Sequence, residues 1–233
     1  MTTSYEELDH HQTPLGELVL RRRRMPGAGD TPVFEITLGG AFLMSSLVND
    51  SERALARLAL DARGEGTWDV LVGGLGLGYT AEAALADPRV RHVTVVELLP
   101  EVIAWHERGL VPLGEALTAS PRCELVADDF FGRIDDPQTP SYDVILVDID
   151  HSPEALLHAA HGRFYRRGGL ERLFAHLRPG GVFALWAGAA ADPEFLERLE
   201  SVFGTAHADH VRFFNPHVDR EDVNAIYVAR RRA

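Results

Sequence analysis

Three short apolar runs in this chain end in carboxylates. Glu97 follows "HVTVV", Asp128 and Asp129 follow "CELVA", and Asp148-Ile149-Asp150-His151 follows "YDVILV". Ahead of them, "DVLVGGLGLGYT" runs an apolar segment into a turn in which Gly74, Gly76 and Gly78 are spaced G-x-G-x-G. Glycine lets the backbone take positive φ and approach a ligand closely, and the amides that open the following helix are donors for it. Glu97 lies 19 residues beyond Gly78, a spacing at which an acidic residue accepts from both ribose hydroxyls of a nucleotide. Asp129 has the chemistry to accept from an adenine amino group, with Phe130 flanking the ring; an N-cap role suits this acid pair equally well. Alternation along a strand places Asp148 and Asp150 on one side. With His151 they suit binding a cation or taking its proton.

The elements that must carry these residues fall into two rhythms. Before position 49, "LGELVLRRRR", "VFEITLGG" and "AFLMSSLV" alternate apolar and polar positions between "MPGAGDTP" and Gly39-Gly40, the pattern of a short antiparallel meander. "NDSERALARLALDARG" follows as an amphipathic helix, with Asn49, Asp50 and Ser51 as N-cap candidates and an end near Gly64. From Trp68 strand and helix alternate. "DVLVGG", "HVTVVEL", "CELVADD", "YDVILVDI" and "GGVFALWAG" read as buried parallel strands. "YTAEAALAD", "LPEVIAWHERGL", "GRFYRRGGLERLFAHL" and "DPEFLERLESVFG" read as helices, and "ADHVRFFNPHVDREDVNAIYVARR" as a terminal hairpin at the sheet edge. The expected fold is α/β: a doubly wound, mostly parallel seven-stranded sheet (residues 49–233) behind a small N-terminal antiparallel β cap (residues 1–48). In such sheets the ligand lies beyond the carboxyl ends of the strands, where their order reverses.

The G-x-G-x-G spacing differs from the G-x-G-x-x-G of dinucleotide turns. Together with the acidic fourth strand end it favours S-adenosylmethionine or a relative over NAD.

Composition narrows the classes. The formal charge of −12 over 233 residues argues against a nucleic-acid partner, which needs clustered cations. The arginines at 21–24 and 230–232 read as solvated strand ends. No apolar run approaches the ~20 residues of a membrane helix, and "MTTSYEELDHHQ" is too polar for a signal peptide. Cys123 is the only cysteine, which excludes an intramolecular disulfide and a cysteine-built zinc site. The expected location is cytoplasmic. His151, His158 and His161 beside Asp148 and Asp150 read as capping and helix-surface residues, with no metal site. Trp105 reads as core, Tyr165 and Trp186 as core with a place in a substrate pocket as the alternative, and Cys123 as an apolar filler.

The stretches "GGAFLMSSLVNDSERALARL", "VTVVELLPEVIAWHE", "PRCELVADDFF", "YDVILVDIDHSP" and "LRPGGVFAL", in this order around the glycine turn, resemble the spermidine synthase-like (polyamine aminopropyltransferase-like) branch of the class I S-adenosylmethionine-dependent transferases. The resemblance covers most of the chain. It implies that Gly74, Gly76 and Gly78 pass under the cofactor's amino-acid end and ribose, that Glu97 holds the ribose hydroxyls and Asp129 the adenine amino group, and that Asp148 acts at the amine nucleophile. Leu77, Leu98, Asp128 and Phe130 complete the expected cofactor-binding set, and Asp150 and His151 join Asp148 as candidate catalytic residues. It also implies a homodimer assembled through the β cap, and a small-molecule amine or hydroxyl acceptor.

Where aminopropyltransferases carry G-G-G-D-G-G, this chain has Leu77 at the aspartate position. Leu99 replaces a second acid, and "FLMSSLVND" replaces the cap's usual polar segment. A carboxylate near the cofactor's amine end attracts an ammonium and repels the carboxylate of intact S-adenosylmethionine. Leucine removes that preference, so the expected reaction is methyl transfer from S-adenosylmethionine to nitrogen or oxygen of a small molecule. Aminopropyl transfer from decarboxylated S-adenosylmethionine is the alternative, and a non-catalytic nucleoside-binding dimer a third. A pocket with several carboxylates converging near Asp148 points to a polyamine; one lined by Leu77, Leu99 and Met44 points to a less charged acceptor.

Overall fold

The computed structural model describes residues 5–24, 31–215 and 219–232. Positions 25–30 of the turn expected in the cap, and 216–218 of the loop expected in the terminal hairpin, lie outside the described residues.

The chain begins with four antiparallel strands in sequential order, β1 (Tyr5–Thr13), β2 (Gly16–Arg23), β3 (Val33–Leu38) and β4 (Ala41–Ser45). Strand β1 has no counterpart in the apolar pattern, because "YEELDHHQT" offers no alternating hydrophobic face. Polar contacts hold it instead: Arg22 pairs with Glu6 at 2.6 Å, and Asp9 accepts from the Trp105 indole at 3.0 Å. The arginines of β2 are more than solvated ends. Arg21 and Arg23 both donate to the fully buried Glu35 of β3, at 2.7 and 2.8 Å.

Helix α1 (Asp50–Arg63) crosses from this sheet to the next and ends at Gly64, whose amide donates to Leu60 at 3.1 Å. Ala54, Leu55, Ala56, Ala59 and Leu60 form its buried stripe, and Ser51 and Glu52 are buried with them. Then follow β5 (Trp68–Gly73), α2 (Tyr79–Ala86), β6 (Val90–Glu97), α3 (Pro100–Glu107), α4 (Gly114–Thr118), β7 (Cys123–Ala127), α5 (Phe130–Asp135) and β8 (Tyr142–Val147). The chain closes with α6 (Arg167–Ala175), β9 (Leu177–Ala187), α7 (Pro193–Phe203), β10 (Gly204–Asn215) and β11 (Arg220–Arg231). The helix expected across 162–177 is shorter. A 3-10 turn occupies Ala159–Arg163, and Arg166 is extended (ψ 160°), so α6 starts only at Arg167.

The seven strands β5–β11 order as β10-β11-β9-β8-β5-β6-β7. β6, β5, β8 and β9 run parallel to their neighbours β7, β6, β5 and β8; β11 pairs antiparallel with β9 and with β10. The terminal hairpin thus lies where the sequence puts it. The fold is the expected doubly wound α/β sheet with an N-terminal antiparallel sheet.

Strand alternation divides the core. Val70, Val72, Val93, Val95, Val144 and Leu146 face α1, α2, α3 and the first sheet, whereas Leu71, Val96, Ile145, Val147 and Phe183 face α5, α6 and α7. Burying each such side chain contributes about 1.5–3 kcal/mol. Strand order reverses between β5 and β8, and the crevice beyond Gly73 and Val147 is where this architecture leaves room for a ligand. Among the described residues no helix is long and apolar enough to cross a membrane.

Candidate active site

A cavity of ≈ 430 Å³ opens at that crevice, walled on one side by the first sheet and on the other by the carboxyl ends of β5, β6 and β8. Gly74 and Gly76 line it with positive φ, 93° and 48°. A side chain at Gly74 would strike the Asp148 carbonyl, so the turn lies flat against the end of β8. His106 of α3 braces the turn from behind, with Nε2 2.9 Å from the Gly76 carbonyl oxygen. Burial holds the His106 pKa below its usual value, so the brace is a neutral imidazole.

Glu97 lies in the wall beside this turn. Its two oxygens accept from the amides of Leu75 and Leu99, at 3.0 and 2.9 Å. Burial pushes its pKa up, and the surrounding backbone amides oppose that shift. Two amides leave a carboxylate further lone-pair directions, which suits it to two hydroxyl donors. Leu98, 45% exposed, borders the cavity next to it.

Asp129 and Phe130 also line the cavity. The Asp129 carboxylate caps α5, accepting from the Phe131 amide at 3.0 Å, so the cap and a ligand contact share one side chain. Phe130 packs against Gly73, where an added Cβ would come within 2.7 Å of the ring. Asp128 turns outward, exposed, 3.4 Å from Arg133, and is not part of the wall.

Asp148 is in the wall and Asp150 is not. β8 ends at Val147, so strand alternation stops before these residues and the expectation that both face one side fails. Asp150 is buried among His161 (2.9 Å), the Tyr165 hydroxyl (2.8 Å) and the Leu157 amide (2.6 Å). It reaches the cavity only through His161, which lines it. His151 lines the cavity directly, and its carbonyl accepts from the Gly188 amide at 2.7 Å.

Leu77 and Gly78 do not line the cavity. Leu77 is fully buried in the core. Gly78, at φ 92°, packs under α3 and α4, where a Cβ would come within 2.6 Å of Leu117. Leu75 is the leucine of the turn that faces the ligand space. Tyr165 is core, as expected, but Trp186 lines the cavity.

The sequence reading missed one group here. Glu52, in the first turn of α1, is buried in the same wall as Asp148. Burial and the neighbouring Asp148 push its carboxyl up to about 7, and burial pushes Asp148 up to about 6. Thr80, which donates to Asp148 at 2.7 Å, and Ser51, which donates to Glu52 at 2.7 Å, were missed with it.

No family model matches the chain. It is 35% identical over 122 residues to polyamine aminopropyltransferase 2 of Pseudomonas aeruginosa, covering 50% of this chain and 32% of that protein. It is 33% identical over 147 residues to the polyamine aminopropyltransferase of Prochlorococcus marinus, covering 61% of this chain and 45% of that protein. The chain therefore spans less than half the length of these curated relatives. Among solved structures, the spermidine synthase of Thermotoga maritima superposes with a TM-score of 0.71 at 16% identity, covering 96% of this chain and 72% of that one.

These relatives overturn the methyltransferase reading, and the structure shows why its premise fails. A leucine sealed in the core cannot select between cofactors with and without a carboxylate. Sequence similarity and architecture together give this chain a spermidine synthase-like α/β fold.

Proposed function

We propose that this protein transfers the aminopropyl group of decarboxylated S-adenosylmethionine to an amine of a polyamine such as putrescine. The observation that carries the reading is the charge of the cavity. Glu52, Glu97, Asp129, Asp148 and Asp222 line it, and among the described residues no arginine or lysine does. Intact S-adenosylmethionine would bring its own carboxylate among five others with no cation to receive it. The decarboxylated form and a polyamine bring only positive charge. The names of the relatives support the same choice.

In this reading Glu97 takes the ribose hydroxyls, Asp129 the adenine amino group, and Leu98 and Phe130 flank the nucleoside. Gly74 and Gly76 take the positive φ that lets the turn lie flat against the end of β8 beneath it. The donor supplies a sulfonium whose alkyl group leaves readily. The protein's part is then to orient the amine in line with the sulfur–carbon bond and to take its proton, with Asp148 the acceptor. His151 lines the same space; Asp150 acts through His161. The reading includes a homodimer assembled through the first sheet, and a cytoplasmic location.

Incubation with decarboxylated S-adenosylmethionine and putrescine, followed by mass spectrometry, should give spermidine and methylthioadenosine in equal amounts. The same amine with S-adenosylmethionine should give no methylated product. Methylated amine without spermidine would overturn the proposal.

A further inference from the structure

Glu52 and Asp148 reach the cavity from different parts of the chain, α1 and the end of β8, and each is fixed by a hydroxyl. The Ser51 hydroxyl accepts from the Trp186 indole at 2.9 Å and from the Asn224 amide at 2.8 Å. A serine has two acceptor directions and one proton, so that proton is committed to Glu52 Oε2, 2.7 Å away. Thr80 Oγ1 stands 2.7 Å from Asp148 Oδ2 and 3.3 Å from the Glu52 carbonyl oxygen, and its proton serves the shorter contact. Each carboxyl thus has an oxygen held by a hydroxyl, and both residues line the cavity.

Other charged groups do not cancel this pair. On α1, Asp50 adds negative charge, and Arg53 is drawn away to Glu82 of α2 and stacks on the Tyr79 ring, 5.2 Å from its centroid. Asp222 of β11 adds a further carboxylate to the same cavity.

Resting on the aminopropyl-transfer reading, we infer that Glu52 is a second catalytic carboxylate, forming with Asp148 a pair that binds the acceptor ammonium and removes its protons. The ammonium gives one proton to Glu52 and becomes a neutral amine. The amine lone pair forms the new N–C bond as the C–S bond breaks, and that bonding pair goes to sulfur, leaving a neutral thioether. The secondary ammonium so formed gives its extra proton to Asp148. A carboxyl held near neutral pH, as burial beside Asp148 holds Glu52, is suited to the first transfer.

The test uses putrescine as probe, in the presence of methylthioadenosine, by calorimetric titration near pH 7 in buffers of different ionisation enthalpy. The parent protein should release protons on binding, so the measured heat should depend on the buffer. Glu52→Gln should remove most of that dependence and weaken putrescine about tenfold, while methylthioadenosine binding, read separately, is retained. Turnover by Glu52→Gln should fall about 10²-fold and lose its ionisation near neutrality. Ser51→Ala, which frees Glu52 without deleting it, should shift that ionisation and keep most of the turnover.

Equal putrescine binding, buffer dependence and pH profile in parent and Glu52→Gln would overturn the inference, as would a parent that binds no diamine. Proton-linked diamine binding that Glu52→Gln abolishes, with no aminopropyl product from the parent, would support the pair and remove the reaction. Product formation by both proteins with one pH profile would keep the reaction and remove the pair.

Discussion

At the amino ends of β5 and β8, Asp69 and Asp143 sit among arginines. Arg91 donates to Asp69 at 2.9 Å, Arg178 bridges both aspartates, and Arg63 reaches Asp143 at 3.3 Å. At the carboxyl ends of the same region, Asp148, Glu52 and Glu97 face a cavity with hydroxyls and amides for partners and no arginine. Asp69 and the cavity carboxyls titrate oppositely. Burial pulls Asp69 upward, but Arg91 and Arg178 hold it below its ordinary value; at the other end burial wins and Glu52, Asp148 and Glu97 all rise. Residue type alone does not mark a site. A carboxylate buried with its cation is structural, and one buried without it is a group waiting for a cationic ligand.

Replacing the central carboxylate at each end should separate these roles. Asp148→Asn should lower turnover by about 10³-fold, because a positioned proton acceptor contributes 10²–10⁴-fold. The fold and methylthioadenosine binding should hold, since the amide still has an oxygen for Thr80. Turnover within tenfold of the parent would remove Asp148 from the chemistry. Asp143→Ala should do the reverse. It leaves Arg63 without its carboxylate partner in a nearly closed site, while Arg178 keeps Asp69, and should cost about 3 kcal/mol in urea unfolding, with turnover per folded molecule unchanged.

How much of this was legible in the sequence depends on what kind of signal each residue leaves. Gly74, Gly76, Glu97, Asp129 and Asp148 sit at the ends of apolar runs, and the rule that ligands lie beyond strand ends placed them in the wall together. Glu52 left no such mark: in "NDSERALARL" it reads as one more polar residue of a first helical turn, and its partner Asp148 is 96 positions away. Ser51 and Asn224 meet across 173 positions, a contact that only the closed sheet creates. Leu77 was misread because matching letters to a motif does not say where a side chain points. In a turn of left-handed glycines, Leu75 faces the cavity and Leu77 faces the core. Strand β1 escaped because pairing and ion pairs hold it, and neither has a periodicity.

The pH dependence of stability sharpens the comparison. A carboxyl whose folded value is raised holds its proton longer in the folded state, so its effect is to lower stability as pH rises from its ordinary value to its folded one. For Glu52 that window runs from 4.5 to about 7. Glu52→Gln should therefore be more stable than the parent at pH 8, by roughly 2 kcal/mol given 1.36 kcal/mol per unit and the sharing with Asp148. The two proteins should converge below about pH 4. Urea midpoints across this range test it. A variant that is both more stable and less active marks a residue kept for chemistry; one less stable at pH 8 would mean that Glu52 is held by contacts worth more than its burial costs.

The smallest effect belongs to Arg91, the exposed partner in the arginine cluster. Asp69 has its folded value lowered, so it stabilises the protein above its ordinary 3.8 and loses that contribution as pH falls through the lowered value. Arg91→Gln removes one of its two arginines and leaves Arg178 in place at 3.0 Å. The acid limb of the stability curve should move slightly upward in pH, and the neutral limb should stay where it is. High salt should erase most of the difference, because salt screens an exposed pair far more than a buried one. Turnover should not change, since Arg91 lies at the opposite end of the strands from the cavity. A salt-insensitive loss as large as that of Asp143→Ala would mean that the cluster works as one buried unit. The contrast between the two strand ends would then rest on burial more than on which partners each carboxylate has.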